Sequence, residues 1–185
     1  LVITQTLRRG GVGVLPTDTI YGIVGSALNK QTVERIYKLR RRNLKKPLIV
    51  LVALIADLKK FGVRLDSIGY SLLAKFWPGP VSVILPCEAK KFAYLHRGTK
   101  TLAFRMPKPT WLRELLKKTG PLVAPSANWE GKSPAKTIGA AKKYFADRVD
   151  FYVDAGKLTG KPSTLIRITP AGKVIVLRQG AVRVA

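Results

Sequence analysis

The chain has 185 residues, of which 46% are hydrophobic and 24% are charged, and its formal net charge is +24. This composition is typical of a globular protein, and it excludes an intrinsically disordered or collagen-like chain. The length is enough for one compact core and too short for two. We therefore predict that residues 1–185 form a single domain.

The charge balance favours polyanionic partners. Lys and Arg number 34 against 10 Asp and Glu, and such basic chains bind phosphate-bearing ligands, either nucleotides or RNA. The alternative is that the excess positive charge lies on a solvated surface and binds no particular partner. Cys87 is the only cysteine and His96 the only histidine, so the sequence predicts neither an internal disulfide nor a metal site made by the protein. Catalysis would then depend on cations, hydroxyls and backbone amides.

Nothing in the sequence predicts a membrane protein. The longest mostly apolar stretch, residues 47–56, is too short to span a bilayer, and no basic-then-apolar leader opens the chain. We therefore expect a cytoplasmic protein that does not contact a membrane. Because the chain starts at Leu1 within amphipathic sequence, we also expect a few residues to precede it.

Nine strands and four helices are predicted along the chain. The strands are short, β-branched runs bounded by Gly or Pro, at residues 12–15, 23–26, 48–52, 81–85, 102–106, 122–124, 151–153, 165–168 and 174–177. The helices repeat apolar residues at i, i+3 and i+4, at residues 30–40, 67–76, 110–119 and 137–145. Residues 170–172 predict a hairpin turn, which argues against a purely parallel sheet. The fold class is therefore α/β or α+β, with a twisted mixed β-sheet flanked by helices.

The first candidate motif follows the first predicted strand. The glycines at residues 10–13 precede that strand and no Walker lysine follows them, so they do not form a P-loop. After Pro16, the polar residues Thr17, Asp18, Thr19 and Tyr21 occupy four of five positions. They are compatible with an ordinary turn and with a ligand-binding cluster.

A second candidate is the basic segment at residues 38–46, which carries six cations in nine positions. Part of this charge is ordinary helix capping, because cations are favoured at a helix C-terminus. The excess is well suited to a triphosphate. Residues 125–128, 161–164 and 177–180 each read as a turn when taken alone.

Together these fragments resemble, in identity and order, the YrdC-type threonylcarbamoyl-adenylate synthases. The matching motifs are P-T-D-T-x-Y-G at 16–22, a K-x-R-like loop before Pro47, W-P-G-P at 77–80, R-x-P at 105–107, S-x-N at 126–128, P-S-T at 162–164 and R-x-G at 178–180. The resemblance implies a YrdC-like sheet with a basic concave groove. It also implies a nucleotidyltransferase that makes threonylcarbamoyl-AMP and pyrophosphate from L-threonine, bicarbonate and ATP, for the threonylcarbamoyladenosine modification of tRNA.

The resemblance also implies roles for individual residues. It places Thr17, Thr19, Tyr21 and Arg105 around threonine and bicarbonate, Arg40 and Arg42 as catalytic cations at the phosphates, and Lys46, Ser126, Asn128, Ser163 and Arg178 at the nucleotide. Ser126 and Asn128 are two apart on an extended segment, so they are expected to face one ligand. Mg²⁺ is expected to arrive with ATP, without protein ligands, because Asp18 is the only carboxylate in the motif set. Implied partners are tRNA or double-stranded RNA and proteins of the tRNA-modification pathway.

One motif departs from the family pattern. Counted back from Leu48, the family's lysine falls on Arg40 and its arginine on Arg42, whereas Lys38 and Arg40 spell K-x-R literally but two residues earlier. We prefer the register counted from Leu48. Arg40 keeps the charge with a wider fork, and Arg40→Lys, which restores the family residue, is expected to hold or raise the rate.

Two alternatives stay open at this point. A basic sheet of the same fold could bind double-stranded RNA or tRNA without catalysis, and the salt dependence of RNA binding together with ATP consumption would separate the two functions. A carbamoyl-transfer domain of the hydrogenase-maturation type has a similar sheet. Such a domain normally needs further domains on the same chain, and the length of 185 residues argues against it.

Overall fold

The computed structural model describes residues 2–169 and 172–184. They contain nine strands, β1 (Gly13–Pro16), β2 (Tyr21–Ser26), β3 (Ile49–Leu51), β4 (Val81–Pro86), β5 (Thr101–Arg105), β6 (Leu122–Val123), β7 (Phe151–Tyr152), β8 (Thr164–Ile168) and β9 (Val174–Arg178). The helices are α1 (Val2–Arg8), α2 (Lys30–Arg40), α3 (Ser67–Phe76), α4 (Ala93–His96), α5 (Thr110–Thr119) and α6 (Ile138–Phe145), with 3₁₀ turns at Ile55–Phe61 and Lys90–Phe92. No helix within this part of the chain is long and apolar enough to cross a membrane.

All nine strands join one mixed sheet in the order β7-β1-β2-β6-β3-β5-β4-β8-β9. The pairs β1/β7, β3/β5 and β4/β8 are parallel, and the other five are antiparallel. The predicted fold class, a mixed sheet with flanking helices, is therefore confirmed. The predicted hairpin between β8 and β9 is also confirmed, although residues 170 and 171 of its turn lie outside the described residues.

The predicted elements agree with the structure except at some ends and in short helices. The helices at 30–40, 67–76 and 110–119 have the predicted bounds, and α6 begins one residue late because Thr137 caps it by accepting from the Ala140 amide. Strand β2 begins at Tyr21, since pairing of Pro16 with Tyr21 extends the β1–β2 hairpin. Helix α1 was missed because its apolar stripe is short: Leu7 is its only buried residue, and Ile3, one turn earlier, is partly buried.

Alternation along the strands supplies two apolar layers. On β1, β3 and β6 one residue enters the larger core and its neighbour enters the smaller one; the pairs are Val14 and Leu15, Val50 and Leu51, and Val123 and Leu122. The smaller core also contains Leu7 of α1 with Leu112 and Leu116 of α5. These helices cover one end of that face of the sheet. At the other end, the same face lines the cleft described next.

Candidate functional site

A cleft of about 740 Å³ lies on the sheet face formed by β3, β5, β4 and β8. Its floor is a row of residues paired in register across these strands, Ile49 with Ala103, Ala103 with Ile84, and Ile84 with Arg167. Because side chains of paired positions point to the same face, the row presents one surface. That surface is apolar along three strands and ends at a cation.

Four arginines line the cleft, namely Arg40, Arg42, Arg167 and Arg178. They come from the end of α2, from the loop after it, from β8 and from β9. Sequence reasoning singled out three of them and missed Arg167. The signal that could have found it is the alternation of the strand at 165–168, which puts Arg167 on the same face as Leu165, another residue of the cleft wall.

Arg40 is 3% exposed and is held by the segment after β6. Its Nε donates to the carbonyl oxygens of Ser126 (2.8 Å) and Asn128 (3.1 Å), and its Nη2 donates to Ser126 Oγ (3.2 Å) and Asn128 Oδ1 (3.4 Å). Burial, reinforced by the charge of Arg42, lowers the pKa of Arg40 to about 10. The guanidinium therefore stays charged at neutral pH.

Arg42 reaches the cleft because of the turn that ends α2. Arg41 adopts a left-handed conformation (φ 51°), its guanidinium stacks 3.6 Å from the centre of the Trp129 ring, and the chain changes direction there. Arg42 then donates from Nε to the carbonyl of Lys46 (3.2 Å) and from Nη2 to that of Pro47 (2.8 Å). These bonds fix the guanidinium at the wall of the cleft.

A second, smaller cavity of about 80 Å³ adjoins the cleft and shares Ile49, Ser126 and Arg178 with it. Its other lining residues include Thr17, Thr19, Tyr21, Arg105 and Ser163. The structure thus brings together all four residues expected at threonine, beside three of those expected at the nucleotide, Ser126, Ser163 and Arg178. They come from segments far apart in sequence.

A buried ion pair stands beside the small cavity. Arg105 Nη2 lies 3.3 Å from Asp18 Oδ1, and the two side chains are 4% and 5% exposed. Burial lowers the pKa of Arg105, the nearby Asp18 opposes this shift, and Arg178 reinforces it. Arg105 and Arg178 both line the small cavity, and two like charges at one cavity favour an anionic ligand.

The P-T-D-T-x-Y-G motif serves as a turn and as a cavity wall. Thr17 Oγ1 donates to the Ile20 carbonyl (2.7 Å) and lies 3.0 Å from Thr19 Oγ1. These bonds close the hairpin between β1 and β2, as the turn interpretation requires. Because Thr17 and Thr19 also line the small cavity, the ligand-binding interpretation has the geometry that it needs.

Ser163 and Arg178 form the far wall of the small cavity. Arg178 Nη2 donates to the Ser163 carbonyl (2.9 Å), and Ser163 Oγ lies 2.8 Å from Ser82 Oγ, in a fully buried contact. Burial lowers the pKa of Arg178. Ser82 was missed by sequence reasoning, and no local signal could have found it, because it lies inside an ordinary strand pattern 81 residues before its partner.

Two residues expected at the nucleotide lie outside both cavities. Asn128 donates from Nδ2 to the carbonyls of Trp129 and Lys132, both at 2.7 Å, and its Oδ1 accepts from Arg40. Ser126 and Asn128 do face one group, but in this structure that group is Arg40. Lys46 pairs with Glu130 at 2.7 Å and its side chain is 60% exposed. Direct contact of Lys46 and Asn128 with the nucleotide remains a prediction.

Some buried polar atoms of the site have no hydrogen-bond partner among the described residues. They are Arg40 Nη1, Arg105 Nε and Asp18 Oδ1, whose 3.3 Å contact with Arg105 is an ion pair and not a hydrogen bond. Buried donors are nearly always satisfied in native proteins, and an unsatisfied one needs an explanation such as a ligand. Two orphaned guanidinium N–H groups beside the cavities indicate an anionic ligand.

Comparisons with known proteins identify relatives that match most of the chain. A family model named Sua5_yciO_yrdC and described as "Telomere recombination" matches residues 5–180. The threonylcarbamoyl-AMP synthase of Marinobacter nauticus is 34% identical over 168 residues, which are 89% of this chain and 88% of that protein.

Two solved structures show the same fold. Pyrococcus abyssi Sua5, determined in complex with L-threonine, superimposes with a TM-score of 0.87 at 28% identity, covering 97% of this chain and 53% of that one, so this chain spans about half of its length. Escherichia coli YciO gives a TM-score of 0.83 at 25% identity, covering 97% of this chain and 87% of that one. The match of the family model over nearly the whole chain confirms the resemblance seen in the motifs. The chain belongs to the Sua5/YciO/YrdC family.

Proposed function

We propose that this chain is a threonylcarbamoyl-AMP synthase, which joins L-threonine, bicarbonate and ATP and releases pyrophosphate. One observation carries the proposal: a small polar cavity adjoins a larger cleft, and the two share Ser126 and Arg178. An acceptor and a nucleotide bound in them would meet at these two residues. The name of the Marinobacter relative and the threonine bound to the Pyrococcus structure support the same activity.

L-threonine is assigned to the small cavity. Arg105 would face its carboxylate, because the unpartnered Nε of that buried guanidinium is a donor in need of an anion. The hydroxyls of Thr17 and Thr19 offer hydrogen bonds to its polar groups. Tyr21 and Ser163 complete the wall in this assignment.

MgATP is assigned to the cleft. Its α-phosphate would lie near Ser126 and Arg178, at the junction with the small cavity, and its outer phosphates toward Arg40 and Arg42. The apolar row from Ile49 to Ile84 is then left for the adenine base, with Arg167 at its edge. In this assignment the four arginines would form the basic groove that the family resemblance implies. Mg²⁺ would enter as part of the substrate, held by phosphates and water, since Asp18 already faces Arg105.

The chemistry needs positioning and charge rather than a protein base. The neutral amine of threonine bonds to the carbon of bicarbonate, and the hydroxyl group of bicarbonate leaves with one amine proton as water, which gives a carbamate. An oxygen of the carbamate then attacks the α-phosphorus, and the bond from phosphorus to pyrophosphate breaks. Arg40, Arg42 and Arg178 would neutralise the charge that builds on the leaving pyrophosphate. Lys46 pairs with Glu130 and Asn128 accepts from Arg40, so both would hold the loops around Arg40 and Arg42 in addition to the predicted contact with the nucleotide.

We further propose that the product serves tRNA modification in the cytoplasm, with tRNA and other proteins of that process as partners. The second candidate function, a non-catalytic RNA-binding module, rests on the net charge of +24 alone, and the relatives, which are named as synthases, do not favour it. The two functions differ in a direct assay, because only the synthase consumes ATP.

The test is pyrophosphate release measured with threonine, bicarbonate and ATP, with each substrate omitted in turn. We expect release only with all three. Serine should replace threonine poorly, by about 1 to 3 kcal/mol in transition-state binding, because it lacks the methyl contact. Equal release with and without an amino acid would refute the synthase. RNA binding without any release would favour the second candidate.

A further inference from the structure

The segment that leads into Ser163 is an extended strap, which we define as residues 155–161. It joins β7 to β8, has no regular secondary structure and is largely exposed. Pro162 and Ser163, which follow it directly, line the small cavity. The path of the strap therefore sets the position of one cavity wall.

The start of the strap is bound to the hydroxyl of Tyr21. That hydroxyl accepts from the Ala155 amide (2.8 Å) and donates to the Gly156 carbonyl (2.8 Å), with Asp154 Oδ1 at 3.3 Å. Tyr21 is fully buried, and burial raises its pKa, so the hydroxyl keeps its proton. A phenol has one proton to donate, and here it is directed to the strap.

The later part of the strap packs against Thr19, which lines the small cavity. A Cβ added to Gly160 would lie 2.2 Å from the carbonyl oxygen of Thr19, so only glycine permits this approach. The Leu158 amide also donates to the Lys136 carbonyl (2.8 Å). At the far end, Arg178 and Ser82 hold Ser163. The strap is thus fixed at its start and near its end, and Ser163, just beyond it, is held as well.

We propose that Tyr21 is a positioning residue, whose hydroxyl holds the strap so that Pro162 and Ser163 keep the small cavity in shape for its ligand. Its ring lines the cavity, but its hydroxyl serves the strap and does not bind threonine. This inference rests on the proposed function for the identity of the ligand. The order of the strap itself can be measured without any activity.

The first test uses Tyr21→Phe, which keeps the ring and removes the hydroxyl. Amide hydrogen exchange, followed by mass spectrometry on peptides covering 153–163, should become about tenfold faster or more. Tyr94→Phe is the control, because that hydroxyl also donates to a backbone carbonyl, of Ala27 at 2.9 Å, away from the strap. Unchanged exchange in Tyr21→Phe would overturn the proposal whether or not the protein is a synthase.

The second test measures pyrophosphate release by the same variant. A loosened cavity wall should raise KM for threonine about tenfold and leave kcat within about twofold, since uniform binding is lost. A fall in kcat with KM unchanged would show that the hydroxyl contacts the reacting groups, and would overturn the proposal. Faster exchange with unchanged kinetics would also overturn it, because the strap would then not serve the site.

A third test displaces the strap without touching Tyr21. Gly160→Ala forces a methyl group against Thr19, so it should reproduce both the faster exchange and the raised KM. Gly139→Ala in α6 is the matched control, since its added Cβ meets only Thr137 Oγ1 at 3.8 Å, and it should change neither. A normal KM in Gly160→Ala, with a displaced strap, would contradict the proposed link between strap and cavity.

Discussion

Arg40 illustrates how one side chain can be both part of the site and part of the fold. It lines the cleft, but its Nε and its Nη2 both donate hydrogen bonds to the segment from Ser126 to Asn128. Only Nη1 is left without a partner among the described residues. Arg40 therefore leaves one nitrogen, Nη1, for a ligand and uses Nε and Nη2 to hold Ser126 at the junction of the two cavities.

This geometry changes the expectation for Arg40→Lys. The guanidinium donates to oxygens of both Ser126 and Asn128 from two of its nitrogens. A lysine has a single side-chain nitrogen and cannot make all of these hydrogen bonds. We now expect the variant to lose about 1 to 3 kcal/mol of stability and to bind ATP less tightly. Thermal unfolding and ATP titration measure these effects. A rate equal to or above wild type would restore the expectation drawn from the family pattern.

The register of the basic loop gives a second prediction for single residues. Arg42 lines the cleft, whereas Lys38 is exposed on α2, as the register counted from Leu48 requires. Arg42→Ala should lower kcat/KM about ten- to a hundredfold, the value of a lost charge-assisted bond. Lys38→Ala removes the same charge from the same segment and should have little effect. A crippled Lys38→Ala with an active Arg42→Ala would reverse the assignment.

At the scale of elements, the cleft floor is a product of strand pairing. Ala103 lies between Ile49 of β3 and Ile84 of β4. Its small side chain leaves a depression in the cleft floor at that point. A neighbouring strand supplies each residue of the row, so no single segment of sequence contains the surface. The bulge between Leu165 and Ile166 against β9 places Arg178 opposite Leu165 and so at the same cleft.

A larger side chain at position 103 tests the use of this floor. Ala103→Leu should weaken ATP binding about tenfold or more, because it fills the space assigned to the base, and should leave threonine binding unchanged. Titrations with each ligand separate the two effects. Ala74→Leu, on the exposed side of α3, adds the same side chain away from the site. Unchanged ATP affinity in Ala103→Leu would move the base elsewhere in the cleft.

For the whole molecule, the excess of cations is the dominant electrostatic property. Six of the 34 cationic side chains pair with carboxylates, one in each ion pair of the described residues. No Asp or Glu follows Asp154, while six Lys and Arg residues do. Much of the positive charge is therefore uncompensated, and it raises the local concentration of any polyanion near the protein.

Salt dependence tests whether this charge binds RNA. If phosphates of tRNA contact the protein, the logarithm of the binding constant should fall linearly with the logarithm of salt concentration, with a slope of about −0.9 per contact on a duplex. We expect a slope of about −3 or steeper for tRNA and nearly none for threonine. Filter binding and calorimetry at several salt concentrations supply both values. If tRNA binding did not depend on salt, we would conclude that the positive charge serves nucleotide binding or lies on a solvated surface, and that it does not bind RNA.

The sequence by itself determined the elements of this protein and the identity of most site residues. Alternation and helical periodicity are local properties, so they located nine strands and all four helices of eight or more residues among the described residues, with small errors at the ends. The ordered motifs indicated the family. Thr17, Thr19, Arg42 and Arg105 were identified in this way and do line the cavities.

Only the tertiary structure decided what each side chain contacts. Tyr21 meets residues of the strap more than 130 positions away, and Arg40 meets Ser126 across 86 positions. Arg167 and Ser82 belong to the site only because β8 lies beside β4. Pairing and register between distant strands depend on burial of the whole sheet, which local periodicity does not encode. Roles that depend on such pairing therefore could not be predicted from the sequence.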